Sequence, residues 1–171
     1  MKKIIFLAMV LILAFGLYAQ NVRIAYVDTD RIMAESNSTR DAQRLFQISM
    51  ENWRREIEDI ESDIQRLENE YETRRMTLSE SGKVEAEDRI RARMVERQQL
   101  VQRIMGEDGL AAQRNAELLA PIMEKLRAVI DRISIEENYT IVFDASSSGI
   151  IWAQERLDIT QQVIIELNRA E

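Results

Sequence analysis

The chain has 171 residues, with 23 Lys plus Arg against 30 Asp plus Glu, no His and no Cys. The acidic balance argues against a nucleic-acid partner, because phosphate binding needs clustered cations. Without Cys there are no disulfides, thiol catalysts or zinc–thiolate sites, and without His the commonest general base and metal ligand is missing.

Residues 1–19 read as a secretory signal peptide. Lys2 and Lys3 form a positive n-region, Ile4 to Leu17 is an apolar run of h-region length, and Leu17-Tyr18-Ala19 ends in a small residue, which places cleavage after Ala19. The run is shorter than the roughly 20 residues that span a bilayer, and no charged flank follows it. Removing 19 of 171 residues leaves 152, and removing the two lysines leaves 21 basic against 30 acidic residues, a net charge of −9. No second apolar run follows, so the mature chain is expected to be soluble beyond the cytoplasmic membrane.

The stretch VRIAYVDTDRIMAES, Val22 to Ser36, begins as a short β-strand and then turns helical. A lone short strand cannot satisfy its own backbone donors and acceptors, so it predicts a partner strand elsewhere in the chain.

From Ser38 to Ile133 the chain has one Pro, Pro121, and three Gly, Gly82, Gly106 and Gly109, while Glu, Arg, Gln, Leu, Ile and Met dominate. This is long-helix composition. Phe46, Met50, Trp53, Ile57, Ile60, Ile64, Leu67, Tyr71 and Leu78 follow alternating steps of four and three, broken by Arg74. Such a coiled-coil seam needs an apolar partner helix, since the stripe left in water is an aggregation site. LSESGK, Leu78 to Lys83, predicts a turn near 79–83. A second seam then runs through Ile90, Met94, Val101, Ile104, Ala111, Leu118 and Ile122, with Arg97, Asp108 and Asn115 as polar register devices. A turn centred near Ser81 sets Trp53 opposite Asp108 and Gly109, Met50 opposite Ala112, and Ile60 opposite Val101. The hairpin would be on the order of 60 Å long at 1.5 Å per residue.

Beyond Pro121, the residues Ile122, Leu126, Val129 and Ile133 continue a helix. Thr140 to Asp144 alternates and is rich in β-branched and aromatic residues, Ser146 to Gly149 is a turn, and Ile150 to Ala153 is expected to return as a second strand. Both strands are expected to pair with Val22 to Val27. Asp158-Ile159-Thr160-Gln161 resembles a capping box opening a last helix, whose Val163, Ile164 and Leu167 cover the sheet. The expected fold is therefore α+β and predominantly helical. A long antiparallel coiled-coil hairpin, residues 38–118, projects from a small β-sheet body formed by the N- and C-terminal segments, residues 20–37 and 119–171.

A body of that size gains little stability from its own core, so a neighbouring chain is the expected supplement. Val22, Ile24 and Tyr26, with Ile141, Phe143, Ile150, Ile151 and Trp152, offer more apolar surface than one helix covers. Each reads either as intramolecular core or as oligomer interface. The acidic residues are spread along helical faces and read as solvated charge in place of catalytic carboxylates.

RIAYVDTDRIMAES at the start, LLAPIMEKLRAVI at Leu118 to Ile130, and YTIVFDASSSGIIWA followed by LDITQQVIIELN at the end flank a charged helical hairpin behind a signal peptide. Together they resemble the Skp/OmpH family of periplasmic chaperones. The resemblance covers nearly all of the mature chain, and its specific part is the two ends in the right order. It implies a periplasmic homotrimer whose bodies associate through short strands and whose hairpins project around a cavity. Unfolded outer-membrane proteins would be held there without ATP, with neither a catalytic centre nor a cofactor. No spacing in the chain assembles a nucleophile with a base or a phosphate-binding loop, which agrees. Under this resemblance the client contacts fall to Met76, Met94, Leu100 and Met105, flexible or apolar side chains on or beside the seam, each of which also reads as ordinary packing. Members of the family are often basic, with cationic tips suggested to meet acidic membranes or lipopolysaccharide. Here seven basic and five acidic residues lie between Thr73 and Arg97, which argues against membrane or lipopolysaccharide contact. A second reading is a non-enzymatic coiled-coil scaffold or spacer in the cell envelope.

Overall fold

The structure, a computed structural model, describes residues 22–147 and 149–169. The expected signal peptide lies outside the described residues. In chain order the elements are β1 (Ile24–Val27), α1 (Thr29–Glu35), α2 (Asn37–Arg74), α3 (Glu80–Met105), α4 (Leu110–Glu136), β2 (Ile141–Asp144), a 3-10 turn (Glu155–Leu157) and α5 (Thr160–Arg169).

The opening strand finds its partner near the other end of the chain. β1 and β2 pair in parallel, with Ile24 opposite Ile141 and Val27 opposite Asp144. The Arg23 and Val27 carbonyls accept hydrogen bonds from the β2 side, while the Tyr26 carbonyl accepts from Ile159 N at 3.0 Å. Backbone groups of alternate residues point to opposite edges, so β1 is flanked on both sides. That corrects the expected strand at Ile150 to Ala153, which forms no regular structure. With β2 on one edge of β1 and the Tyr26–Asp158 bridge on the other, the opening strand has no free edge to give it.

Ala25 and Val27 of β1, Ile32 of α1, Leu126, Val129 and Ile133 of α4, and Val163, Ile164 and Leu167 of α5 form one buried core with Ile159. Steps of three and four give each helix a single apolar stripe, so both can face the same sheet. Side-chain caps fix the connections. Ser36 Oγ accepts from Thr39 N at 3.3 Å where α1 passes into α2, and Thr160 Oγ1 accepts from Asp28 N at 2.9 Å, tying the end of β1 to the last helix. Ser36 and Thr160 are fully buried, where an unmade bond would leave an unsolvated donor.

The arm is antiparallel. Tyr71 Oη donates to Glu87 at 2.6 Å, Arg93 meets Asp63 at 2.8 Å and Arg97 meets Glu61 at 3.2 Å. The turn at its tip lies earlier than expected: α2 ends at Arg74, and Ser79 Oγ accepts from Gly82 N at 3.2 Å as the N-cap of α3. The small polar cluster at 79–83 thus starts a helix, because Ser is a strong N-cap and Gly82 is tolerated in the first turn. The register moves with the turn. Glu61 meets Arg97 where the sequence reading puts Val101, and Tyr71 meets Glu87 where it puts Arg91.

Nearer the body the register returns. Ala42 and Phe46 share a cavity with Asn115, Leu118 and Leu119, close to the pairing that a centre at Ser81 predicts. About one helical turn is therefore absorbed between the two halves, and the break between α3 and α4, Gly106 to Gly109, absorbs it. A Cβ on Gly109 would stand 2.5 Å from the Ile104 carbonyl oxygen, and one on Gly106 would stand 2.6 Å from that of Gln102. The backbone passes too close to itself there for any side chain.

Candidate functional site

Among the described residues, large apolar side chains are left uncovered on both the body and the arm. On the body, the pleat sends Ala25, Val27 and Val142 inward and leaves Ile24, Tyr26, Ile141 and Phe143 on the outer face. Ile24, Ile141 and Phe143 are 40%, 44% and 41% exposed, and Val22 extends the patch. Tyr26 is half-buried, and its phenol is pushed up by burial, with the charges of Asp158 and Glu155 adding to the effect. Val22, Ile24, Ile141 and Phe143 are therefore not part of the buried core.

The Ile150 to Trp152 segment leaves from a well-anchored point. Asp144 Oδ2 accepts from Thr29 Oγ1 at 2.7 Å and Ser147 Oγ at 3.1 Å, and its Oδ1 accepts from Ser146 N at 3.0 Å and Ser146 Oγ at 2.8 Å. Burial alone would raise the Asp144 pKa. The hydrogen bonds from Thr29 and Ser146 outweigh it and bring the carboxyl down to about 2. Beyond this clasp Gly149 takes φ +67°, a left-handed conformation that glycine adopts without strain. Ile150 is half-buried, but Ile151 is fully exposed and Trp152 is 78% exposed.

On the arm, the expected client residues do not form one set. Met76 lies in the tip turn and is fully out in solvent, and Met94 and Met105 are exposed on α3. Leu100 is a correction: it is buried in the α2–α3 seam and presents no surface. The seam of α3 runs through Ala86, Ile90, Arg93, Arg97, Leu100 and Ile104, a frame in which Met94 and Val101 fall to one side. Val84, Val95 and Val101 are exposed on the same helix, and the sequence reading missed the first two. Their signal was present, since α3 has more apolar residues than one stripe can use.

Among the described residues no group of His, Cys, Asp or Glu could hold a metal ion, and no helix is long and apolar enough to cross a membrane.

A small α/β body built from both chain ends, carrying one long helical arm, is the architecture these surfaces belong to. The chain belongs to the OmpH-like outer membrane protein family, which matches residues 23–167. Among solved structures it is similar to a candidate outer membrane chaperone (OmpH-like) from Caulobacter crescentus CB15. The TM-score is 0.79 at 12% identity, over 88% of this chain and 86% of that one. At that identity the likeness establishes the fold. Among curated proteins, no sequence matches this chain.

Proposed function

We propose that this chain is an ATP-independent holdase chaperone of the periplasm, which binds unfolded outer-membrane β-barrel proteins in a cavity between the arms of a homotrimer. The observation that carries the reading is the family match over residues 23–167, joined to a fold that leaves both the body and the arm with uncovered apolar surface.

In this reading residues 20–37 and 119–171 form the association body and residues 38–118 form the arm. The body supports self-association in two ways. Its outer sheet face carries Ile24, Tyr26, Ile141 and Phe143, and such a patch on a small body is a liability in a monomer. The outer edge of β2 has no partner among the described residues, and neither has the irregular segment at Ile150 to Ala153. An open edge invites a strand from another copy. The arm supports holding without chemistry, because flexible Met and exposed Val contacts suit many sequences where a shaped pocket suits one. No cofactor and no catalytic residue are assigned, and release follows the client's own folding into a membrane.

The test is dilution of a urea-unfolded β-barrel protein with and without the mature chain. Suppression of aggregation at a stoichiometric amount of trimer is expected, unchanged by ATP. A monomeric mass at micromolar concentration would remove the trimer. A trimer that fails to suppress aggregation would leave the envelope scaffold or spacer as the better reading.

A further inference from the structure

The two helices of the arm have unlike surfaces. Between Glu51 and Arg74, α2 carries nine acidic and four basic residues, and none of its large apolar side chains is exposed. Between Arg89 and Met105, α3 carries five Arg and one Glu. The same helix exposes Val84, Met94, Val95, Val101 and Met105. Met94, Val95 and Val101 line a groove together with Ile64, the buried residue at that level of α2, and with Arg91 and Arg97. Arg97 is paired to Glu61 and Arg91 to Asp88, whereas Arg89 and Arg103 have no carboxylate partner among the described residues.

We propose that the α3 side of the arm is its client-facing side, and that it takes unfolded segments in which apolar side chains are interspersed with carboxylates. This rests on the chaperone reading above. The occupant follows from what the stripe can and cannot cover. A second copy of the arm laying its own Arg89–Met105 stretch against this one would set arginines against arginines, a like-charge contact that opposes association. A second copy meeting α3 with the distal half of α2 would find carboxylates for the arginines but no exposed apolar side chain to bury against the valines. An unfolded acidic and apolar segment supplies both, and without a fixed shape it can follow a shallow groove. The acidic outer rib of α2 then stays in water, where its charges are solvated and the arms repel one another.

The experiment places a photo-crosslinking amino acid at Val95 on α3 or at Asp59 on the exposed side of α2, in the full mature protein, with a urea-unfolded fluorescent β-barrel protein as probe. The Val95 probe should label the client severalfold more than the Asp59 probe. Equal labelling, labelling mainly of another copy of the chain, or labelling mainly of added anionic vesicles would each overturn the assignment. A paired variant, Val95→Asp with Val101→Asp, should raise the concentration needed for half-protection about tenfold, which corresponds to a loss of about 1.4 kcal/mol. Both positions are already partly in solvent, so the arm should still fold, and helix content with trimer mass checks that it does. If the unaltered chain does not protect the client, the chaperone reading fails. If it protects and the paired variant protects equally well, only the α3 assignment fails.

Discussion

Ten buried residues drawn from both ends of the chain interlock in the body, whereas the distal arm, from Glu51 to Met105, buries only Ile64, Leu100 and Ile104 among its large side chains. The body therefore behaves as a core with long-range contacts, and the arm as two helices held by local means. Many of those means are ion pairs one turn apart, such as Arg54 with Glu51, and Arg66 with both Asp63 and Glu70. A region with few buried contacts opens at lower free energy than the core it is attached to. Under the proposed holdase reading, a stiff base with a compliant arm suits clients of different size. The contrast can be tested from its strong end downwards.

Leu126 is almost wholly enclosed in the body core. Leu126→Ala should destabilise the body by about 2–5 kcal/mol, through lost transfer energy and the cavity left behind. Leu100→Ala removes the same atoms from the arm seam. It should speed amide exchange in α2 and α3 while leaving the body's urea midpoint in place. Equal falls in midpoint for both variants would show that arm and body unfold as one unit and would end the comparison.

Gly109→Ala comes next, because its new Cβ would stand 2.5 Å from the Ile104 carbonyl oxygen and that neighbour is backbone, unable to swing aside. Overpacking of this kind costs about 1–3 kcal/mol. The loss should appear at the joint, as faster exchange from Ile104 to Asn115, and not in the core. A variant with unchanged exchange there would mean that the backbone can relax around the break, and that the register jump does not depend on glycine.

Asp144 links body stability to acid. Its folded pKa of about 2 lies below the ordinary 3.8, because hydrogen bonds from Thr29 and Ser146 overcome the burial that would otherwise raise it. A depressed carboxylate pKa gives stability that is fully present above the unfolded value and is lost as pH falls through the folded one, here between about pH 4 and pH 2. The carboxyl is partly solvated, so the contribution is about 1–2 kcal/mol, less than the whole shift would give. Asp144→Asn should remove this part of the acid dependence and loosen the 145–154 segment. A variant whose stability falls as steeply as the parent's over that window would locate the acid sensitivity elsewhere.

The sequence showed the body more clearly than the arm, for physical reasons. Two short strands and a helix with a three-four apolar stripe leave few ways to build one core, so the meeting of the chain ends and the inward Val163, Ile164 and Leu167 could be read directly. The α2 seam was equally legible, since the positions its four-three spacing picks out, such as Trp53, Ile57, Ile60, Ile64 and Leu67, are all buried or half-buried. The α3 seam was not. Arg93 and Arg97 occupy it, and a long side chain can lay its methylenes on a seam while its guanidinium reaches outward, so apolar periodicity alone picks the wrong frame. That error put Met94 and Val101 inside and hid the outer stripe. The Ile150 to Ala153 segment misled in another way: its residues favour a strand, but the edge of β1 expected to receive it is taken by Asp158, and edge occupancy is a property of the assembled sheet.

The weakest effect belongs to Arg93, and it separates two sources of arm order. Arg93 Nη2 meets Asp63 on α2 at 2.8 Å, and Nη1 meets Glu96 on its own helix at 2.7 Å. The hydrogen bond to Glu96 raises the guanidinium pKa most, with Asp63 contributing less. All three side chains are substantially solvated, so the pairs are screened and fade with salt. Arg93→Ala should leave the body's midpoint unmoved and speed amide exchange only around Ile90 to Leu100, with the difference shrinking at high salt. Asp63→Ala should reproduce that local change if the bridge between helices matters. Glu96→Ala should reproduce it if the ion pair only supports the α3 helix itself. Should none of the three variants alter exchange, the pairs contribute nothing measurable. The apolar seam, with Ile64, Leu100 and Ile104 at its buried centre, would then hold the arm without them, which would make the arm still more compliant relative to the body.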